Sequence, residues 1–133
     1  MEVYNLDQSP GAVTATDTRT RAKPQRRKPR LHCAICGHLI TGNEHLRPVD
    51  GVPRHIFTNP AGIEFCIACF SAAPGCFVAG DPTEAYTWFP GCCWSMAHCS
   101  ECRSQLGWFF QHLDGDTFYG LRVELLEERE ADS

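Results

Sequence analysis

No apolar run in this 133-residue chain approaches the ~20 residues that a membrane-spanning helix requires. The opening MEVYNLDQSPGAV lacks the cationic start and apolar stretch of a secretory signal, which sets the expectation of a cytoplasmic protein without a membrane partner. Between turn signals, no stretch of about 12 residues carries a helical apolar stripe. No repeat recurs beyond paired cysteines, and no cysteine comes after Cys102. With 43% apolar residues, 21% charged residues and 14 aromatics, the chain is neither wholly disordered nor collagen-like. At 14.9 kDa it has the size of one ordinary domain.

Charge is divided along the chain. Residues 1–30 hold seven Lys/Arg and three Asp/Glu, whereas residues 31–133 hold five and thirteen. An acidic body lacks the basic face that neutralises phosphates, so no nucleic-acid partner is expected. The prolines within TRAKPQRRKPR disfavour a helix, and residues 1–30 read as a flexible basic leader. The folded domain is expected over residues 31–128, with a frayed end at 129–133; VELLEEREADS has room for one or two helical turns before fraying.

Beyond the leader the chain reads as all-β. Turn signals come at short intervals: Gly42-Asn43, Asp50-Gly51, Asn59-Pro60, Pro74-Gly75, Asp81-Pro82, Pro90-Gly91 and Asp114-Gly115. Between them, segments 52–58, 62–70, 86–90, 92–98, 106–113 and 117–123 are rich in aromatic and β-branched residues. The last two, joined across Asp114-Gly115, predict a hairpin.

Nine cysteines in a chain without an export signal point to metal binding or catalysis, because a disulfide framework does not persist in a reducing compartment. Three Cys-x-x-Cys pairs occur: Cys33/Cys36, Cys66/Cys69 and Cys99/Cys102. One tetrahedral zinc needs two pairs. GIEFCIACF reads as a strand, in which residues three apart face opposite sides and cannot chelate together. The expected ligands of a single structural zinc are therefore Cys33, Cys36, Cys99 and Cys102. Cys66, Cys69, Cys76, Cys92 and Cys93 are left as small buried hydrophobes or free thiols. His32 and His98, each next to a chosen cysteine, are expected at the rim. Sixty-two residues separate Cys36 from Cys99, so the metal would clip the two ends of the domain.

Thirteen of the fourteen aromatics lie after residue 56, and Trp88, Trp94 and Trp108 fall within 21 residues. Tryptophans bury large areas and serve cores. Three of them beside a Trp-Phe-Pro-Gly turn also suit a cage, either for a cation or for a flat neutral ring.

The segment YTWFPGCCWSMAHCSECRSQLGWFF resembles the CULT domain, the thalidomide-binding domain family of cereblon. Trp88, Trp94, Cys99, Cys102 and Trp108 stand at the family's landmark positions. TNPAG (58–62) resembles its Asn-Pro loop, CAIC its first zinc knuckle and TFYGL its last strand. The resemblance covers about residues 31–126, and the length is similar to that of small single-domain bacterial members. It implies a β-tent, two antiparallel sheets meeting at an angle and pinned by one zinc. It also implies a non-enzymatic binding module for cyclic imides of the glutarimide or thalidomide type, for uracil-like rings, or for cyclic imides at the C-termini of damaged proteins. Trp88, Trp94 and Trp108 would form walls and Phe110 the floor. The imide would bond to the Tyr86 carbonyl and the Trp88 N–H, with Thr87, Asn59, Pro60 and Phe65 near the mouth. Tyr86 and Thr87 replace the His-Ser of vertebrate members, and Cys92-Cys93 stand where an aromatic or Ala is common. The domain that docks cereblon to its ubiquitin-ligase scaffold is not expected here.

Two other readings use the same residues. A methyl-ammonium cage would want a carboxylate, for which Glu84 is the candidate. CSECRSQLGWFF is also similar to the Cys-x-x-Cys segment of methionine-R-sulfoxide reductases, which share the β-tent. Trp108 replaces their active-site histidine, and their late catalytic cysteine has no counterpart after Cys102.

Overall fold

Alternating side chains shape residues 29–130, the part that the computed structural model describes, into nine short strands. Residues 1–28 of the expected leader and 131–133 of the expected frayed end lie outside the described residues. A three-stranded sheet has the order β2 (Leu39–Gly42), β1 (Arg30–Cys33), β9 (Leu126–Arg129). A six-stranded sheet runs β3 (Arg54–Thr58), β4 (Glu64–Phe70), β8 (Thr117–Arg122), β7 (Gln105–His112), β6 (Cys92–Cys99), β5 (Cys76–Thr83). Every strand pair is antiparallel, and β7–β8 form the expected hairpin.

The two faces of β4 show how the core divides. Ala68 and Phe70 pack with Leu31, Cys33 and Ile40 of the small sheet and with Ala97, Leu106 and Leu121 of the large one. Ile67 and Cys69, on the other face, pack with Phe89, Cys92, Phe110 and Phe118. Burying each large apolar side chain contributes roughly 1.5–3 kcal/mol, so both faces stabilise the sheet. Gly75 holds the sheets together where they meet. Its N–H donates to the Ile40 carbonyl (2.9 Å) and its carbonyl accepts from the Ser100 N–H (2.9 Å). A Cβ there would lie 2.1 Å from the Leu39 carbonyl oxygen, so only glycine permits this approach.

Three local features differ from expectation. Val123–Leu125 form a single 3-10 turn, but Leu126–Arg129 then extend as β9 instead of continuing a helix. The open edge of β1 wins: Leu126 pairs with Cys33 and Arg129 with Arg30. Segment 86–90 is a turn-rich connection, with Tyr86 at φ 57 and the Thr87 N–H donating to Glu84. Strand β5 was hidden by its own turn residues. Gly80-Asp81-Pro82 sit in a bulge between Ala79 and Thr83, with Gly80 at φ 91. An edge strand tolerates such residues, because one side of it has no ladder to interrupt.

Candidate metal centre and aromatic pocket

The first and third Cys-x-x-Cys pairs fold into matching turns. The Gly37 N–H donates to the Cys33 carbonyl (2.8 Å), and the Arg103 N–H donates to the Cys99 carbonyl (2.9 Å). The Cys33 N–H donates to His38 (2.8 Å), and the Cys99 N–H to Ser104 (2.9 Å). Gly37 and Arg103 occupy the same place in each turn, and both have left-handed backbones, φ 87 and 69. The preceding histidines match as well. The His32 ring Nδ1–H donates to the Gly37 carbonyl (2.9 Å) and the His98 ring Nδ1–H to the Arg103 carbonyl (3.2 Å). Each histidine braces its knuckle and lies outside the cluster of four sulfurs. The repeated His-Cys-x-x-Cys was the signal for this role, which position beside a cysteine alone did not reveal.

The four sulfurs of Cys33, Cys36, Cys99 and Cys102 all lie within 4.8 Å of one another. Cys33 and Cys102 are separated by 3.7 Å, and Cys36 and Cys99 by 3.6 Å. Sulfurs on a tetrahedral zinc with Zn–S near 2.3 Å stand roughly 3.8 Å apart, close to the spacing of these two pairs. Hydrogen bonding to Ser104 pulls the Cys102 thiol down to about 6. These four cysteines are positioned to bind one zinc ion, which when bound would cross-link β1 to β6 as a closed structural site. Of the other cysteines, Cys76 lies across the β5–β6 ladder from Cys99 but outside the sulfur cluster, and Cys66, Cys69, Cys92 and Cys93 lie elsewhere. Burial pushes the Cys69 and Cys76 thiols up to about 12. Cys92 is buried beneath the aromatic face, and burial raises it too.

On that aromatic face the large sheet carries a pocket of about 330 Å³. Asn59 and Pro60 enter from the β3–β4 loop, Phe65 from β4, and Tyr86 and Trp88 from the β5–β6 connection. Strand β6 supplies Trp94 and Met96, and β7 supplies Gln105, Trp108 and Phe110. Trp94 pairs with Phe110 and Met96 with Trp108 across the β6–β7 ladder, so all four point to one side of the sheet. Trp88 and Trp108 meet edge to face at 4.7 Å, and Phe65 meets Trp108 edge to face at 5.3 Å. Phe57 backs Trp88 by stacking at 4.9 Å. Phe110, 1% exposed, closes the base against Phe89 and Phe118.

Hydrogen bonds tie the walls to the loops. The Trp88 Nε1–H donates to the Thr58 carbonyl (3.3 Å) and the Trp94 Nε1–H to the Ala85 carbonyl (2.8 Å). The Asn59 carboxamide oxygen accepts from the Ala61 and Ile63 N–H groups (3.0 and 2.9 Å), which shapes the loop. The Tyr86 carbonyl and the Trp88 N–H have no hydrogen-bond partner among the described residues. Both belong to residues that line the pocket.

The structure thus brings Trp88, Trp94, Trp108, Phe110, Tyr86, Asn59, Pro60 and Phe65 together. Thr87 stands apart, its hydroxyl donating to the Phe89 carbonyl (3.3 Å). Glu84, Cys92 and Cys93 do not line the pocket. Met96 and Gln105 were missed. Period-two counting along β6 from Trp94 would have found Met96. Gln105 was hidden by the bulge that breaks the register between Ala97 and His98.

No protein-family model matches the chain. The protein cereblon of Xenopus tropicalis is 31% identical over 105 residues, 74% of this chain and 24% of that protein. The protein cereblon of Danio rerio is 32% identical over 73 residues, 52% of this chain and 17% of that protein. That of Gallus gallus is 29% identical over 105 residues, with the same coverage as in Xenopus. This chain carries a cereblon-like domain. It spans at most 24% of the length of these curated relatives. The cereblon-like domain is nearly all β in two antiparallel sheets, and its four clustered cysteines are positioned to bind one zinc ion. Among the described residues, no helix is long and apolar enough to cross a membrane.

Proposed function

We propose that this cereblon-like domain is a non-enzymatic receptor for small neutral rings bearing an imide, glutarimide above all. Uracil-like rings and cyclic imides at the C-termini of damaged proteins fall within the same chemistry. The observation that carries the reading is the pairing of three indole walls with the unspent Tyr86 carbonyl and Trp88 N–H. An imide offers one N–H donor between two carbonyl acceptors, and this pair offers the complement. Apolar walls exclude water, which strengthens those few hydrogen bonds.

The charge of the lining supports a neutral ligand. None of the ten lining side chains is a carboxylate, so a quaternary ammonium would find aromatic faces but no counter-charge. The lining also offers no imidazole, amine or thiol, the groups that hydrolysis or sulfoxide reduction would require. Tryptophan-emission titration of the zinc-loaded chain tests the reading, with glutarimide as ligand and succinimide and tetramethylammonium as comparators. Saturable binding of glutarimide without a response to the ammonium is expected. Failure of every imide to bind the folded protein would overturn the proposal.

A further inference from the structure

We propose that Met96 makes the pocket oxidation-sensitive: conversion of its thioether to the sulfoxide lowers affinity for the imide ring. The inference rests on the proposed function, since it concerns the same pocket. Met96 is a wall residue, set between two tryptophan positions: two residues from Trp94 along β6 and directly across from Trp108 on β7. Unlike most of the sheet interior it is reachable, with 40% of its surface exposed. The neighbouring edge strand explains why. Strand β5 pairs Ala79 with Met96 and Thr83 with Trp94, so three residues of β6 face five of β5. Gly80-Asp81-Pro82 bulge out of the ladder opposite Ser95, and Met96 has only the small Ala79 across from it.

The chemistry needs only a hydroperoxide. The sulfur lone pair attacks the terminal peroxide oxygen, an S–O bond forms and the O–O bond breaks. Sulfur loses two electrons, and the peroxide gains them and leaves as an alcohol after taking up the proton. An apolar, flexible side chain becomes polar and chiral. In this wall the new S–O dipole has indoles for neighbours and no charged side chain within the lining. Seating the neutral imide ring against it strips the sulfoxide of water, so affinity is expected to fall about ten-fold or more.

The test treats the full zinc-loaded chain with tert-butyl hydroperoxide. Peptide mass mapping locates the added oxygen, metal analysis verifies the retained zinc, and calorimetric titration with glutarimide tracks affinity before and after treatment. Met96→Leu is compared only with itself, before and after the same treatment. The proposal expects one oxygen on Met96, a loss of affinity in the wild type, and no change on treatment of Met96→Leu. An unmodified Met96, a wild-type sulfoxide that binds as before, or an equal loss in Met96→Leu would overturn it. If the untreated wild type fails to bind glutarimide, the proposed function fails and the switch falls with it. If the untreated protein binds and the sulfoxide binds equally well, only the switch fails.

Discussion

Gly120 on β8 separates packing of the sheet from shape of the pocket in a single substitution. It lies opposite Trp108 on β7 and Cys69 on β4, beneath the aromatic face. A Cβ at this position would sit 2.8 Å from Ile67 Cδ1 and 2.9 Å from Phe110 Cε2. Ordinary contacts of this kind are about 3.5–4.0 Å, so each neighbour must retreat by roughly 0.6–1.2 Å. Ile67 is fully buried and Phe110 nearly so, which leaves little slack within the sheet. Overpacking a tight core costs about 1–3 kcal/mol. The yielding direction for Phe110 is the empty side, which is the pocket. Gly120→Ala should therefore lower stability by that amount in urea unfolding of the zinc-loaded protein, and should also weaken glutarimide binding in calorimetry. A variant with unchanged stability and unchanged affinity would refute this account of the pocket base. Lost stability with unchanged affinity would place the strain on Ile67 alone.

Substitution of the cysteines should separate ligands from bystanders: Cys36→Ser should lose stoichiometric zinc by metal analysis, whereas Cys66→Ser should retain one ion per chain. Trp94→Ala should weaken glutarimide binding by about ten-fold or more while zinc content stays the same, because the indole supplies apolar wall area and no metal ligand; loss of zinc as well would make Trp94 a core residue first. Acid sensitivity should have a component from Asp116, whose carboxylate is held below its ordinary 3.8 by the hydrogen bond from Arg47. A depressed folded-state value gives stability that is present above pH ~4 and is lost as pH falls through the folded value. Thermal unfolding of wild type and Asp116→Asn should thus converge as pH falls below the ordinary carboxylate value, with the cysteine site affecting both equally; parallel curves would refute it.

Legibility in the sequence tracked the range of the forces involved. The metal ligands were readable because a Cys-x-x-Cys turn is a local device, and a strand excludes Cys66/Cys69 by its own period. The pocket walls were readable from the positions of Trp88, Trp94 and Trp108 within the resemblance. Less local features escaped. Strand β9 exists because Leu126–Arg129 find the free edge of β1, a partner almost a hundred residues upstream. Strand β5 holds Gly80-Asp81-Pro82, whose local signal is a turn, yet its ladder to β6 carries the chain through. Gln105 reached the pocket only through a register break, which no period-two count anticipates. The twin histidine braces at His32 and His98 lay open in the repeated motif, but their acceptors are carbonyls created by the knuckle fold itself.

The metal site and the pocket share β6 without sharing a residue. On β6, Trp94 and Met96 face the pocket, and Cys99 turns into the metal knuckle. The break in register between Ala97 and His98 lies between them, with Leu106 as the extra residue on β7. That break sets which side Trp108 faces relative to Cys99. A metal that fixes the knuckle therefore also fixes the orientation of the cage. Apparent zinc-binding energies of about 10–16 kcal/mol rival or exceed the ~5–15 kcal/mol stability of an ordinary domain, so chelation should unfold the sheet and abolish imide binding. Linkage makes this reciprocal: if zinc strengthens binding of the imide, the imide must strengthen retention of zinc. Glutarimide at a hundred times its dissociation constant stabilises the native state by about 2.7 kcal/mol when it binds only that state. Competition of the protein with a chromogenic chelator should then shift toward the protein by up to about a hundred-fold at equilibrium. Trp94→Ala, assayed in the same way, should show a shift smaller by about ten-fold or more. An equilibrium indifferent to glutarimide in a wild type that binds it would mean that the cage keeps its shape without the metal, and that the break at Ala97/His98 does not couple the two sites.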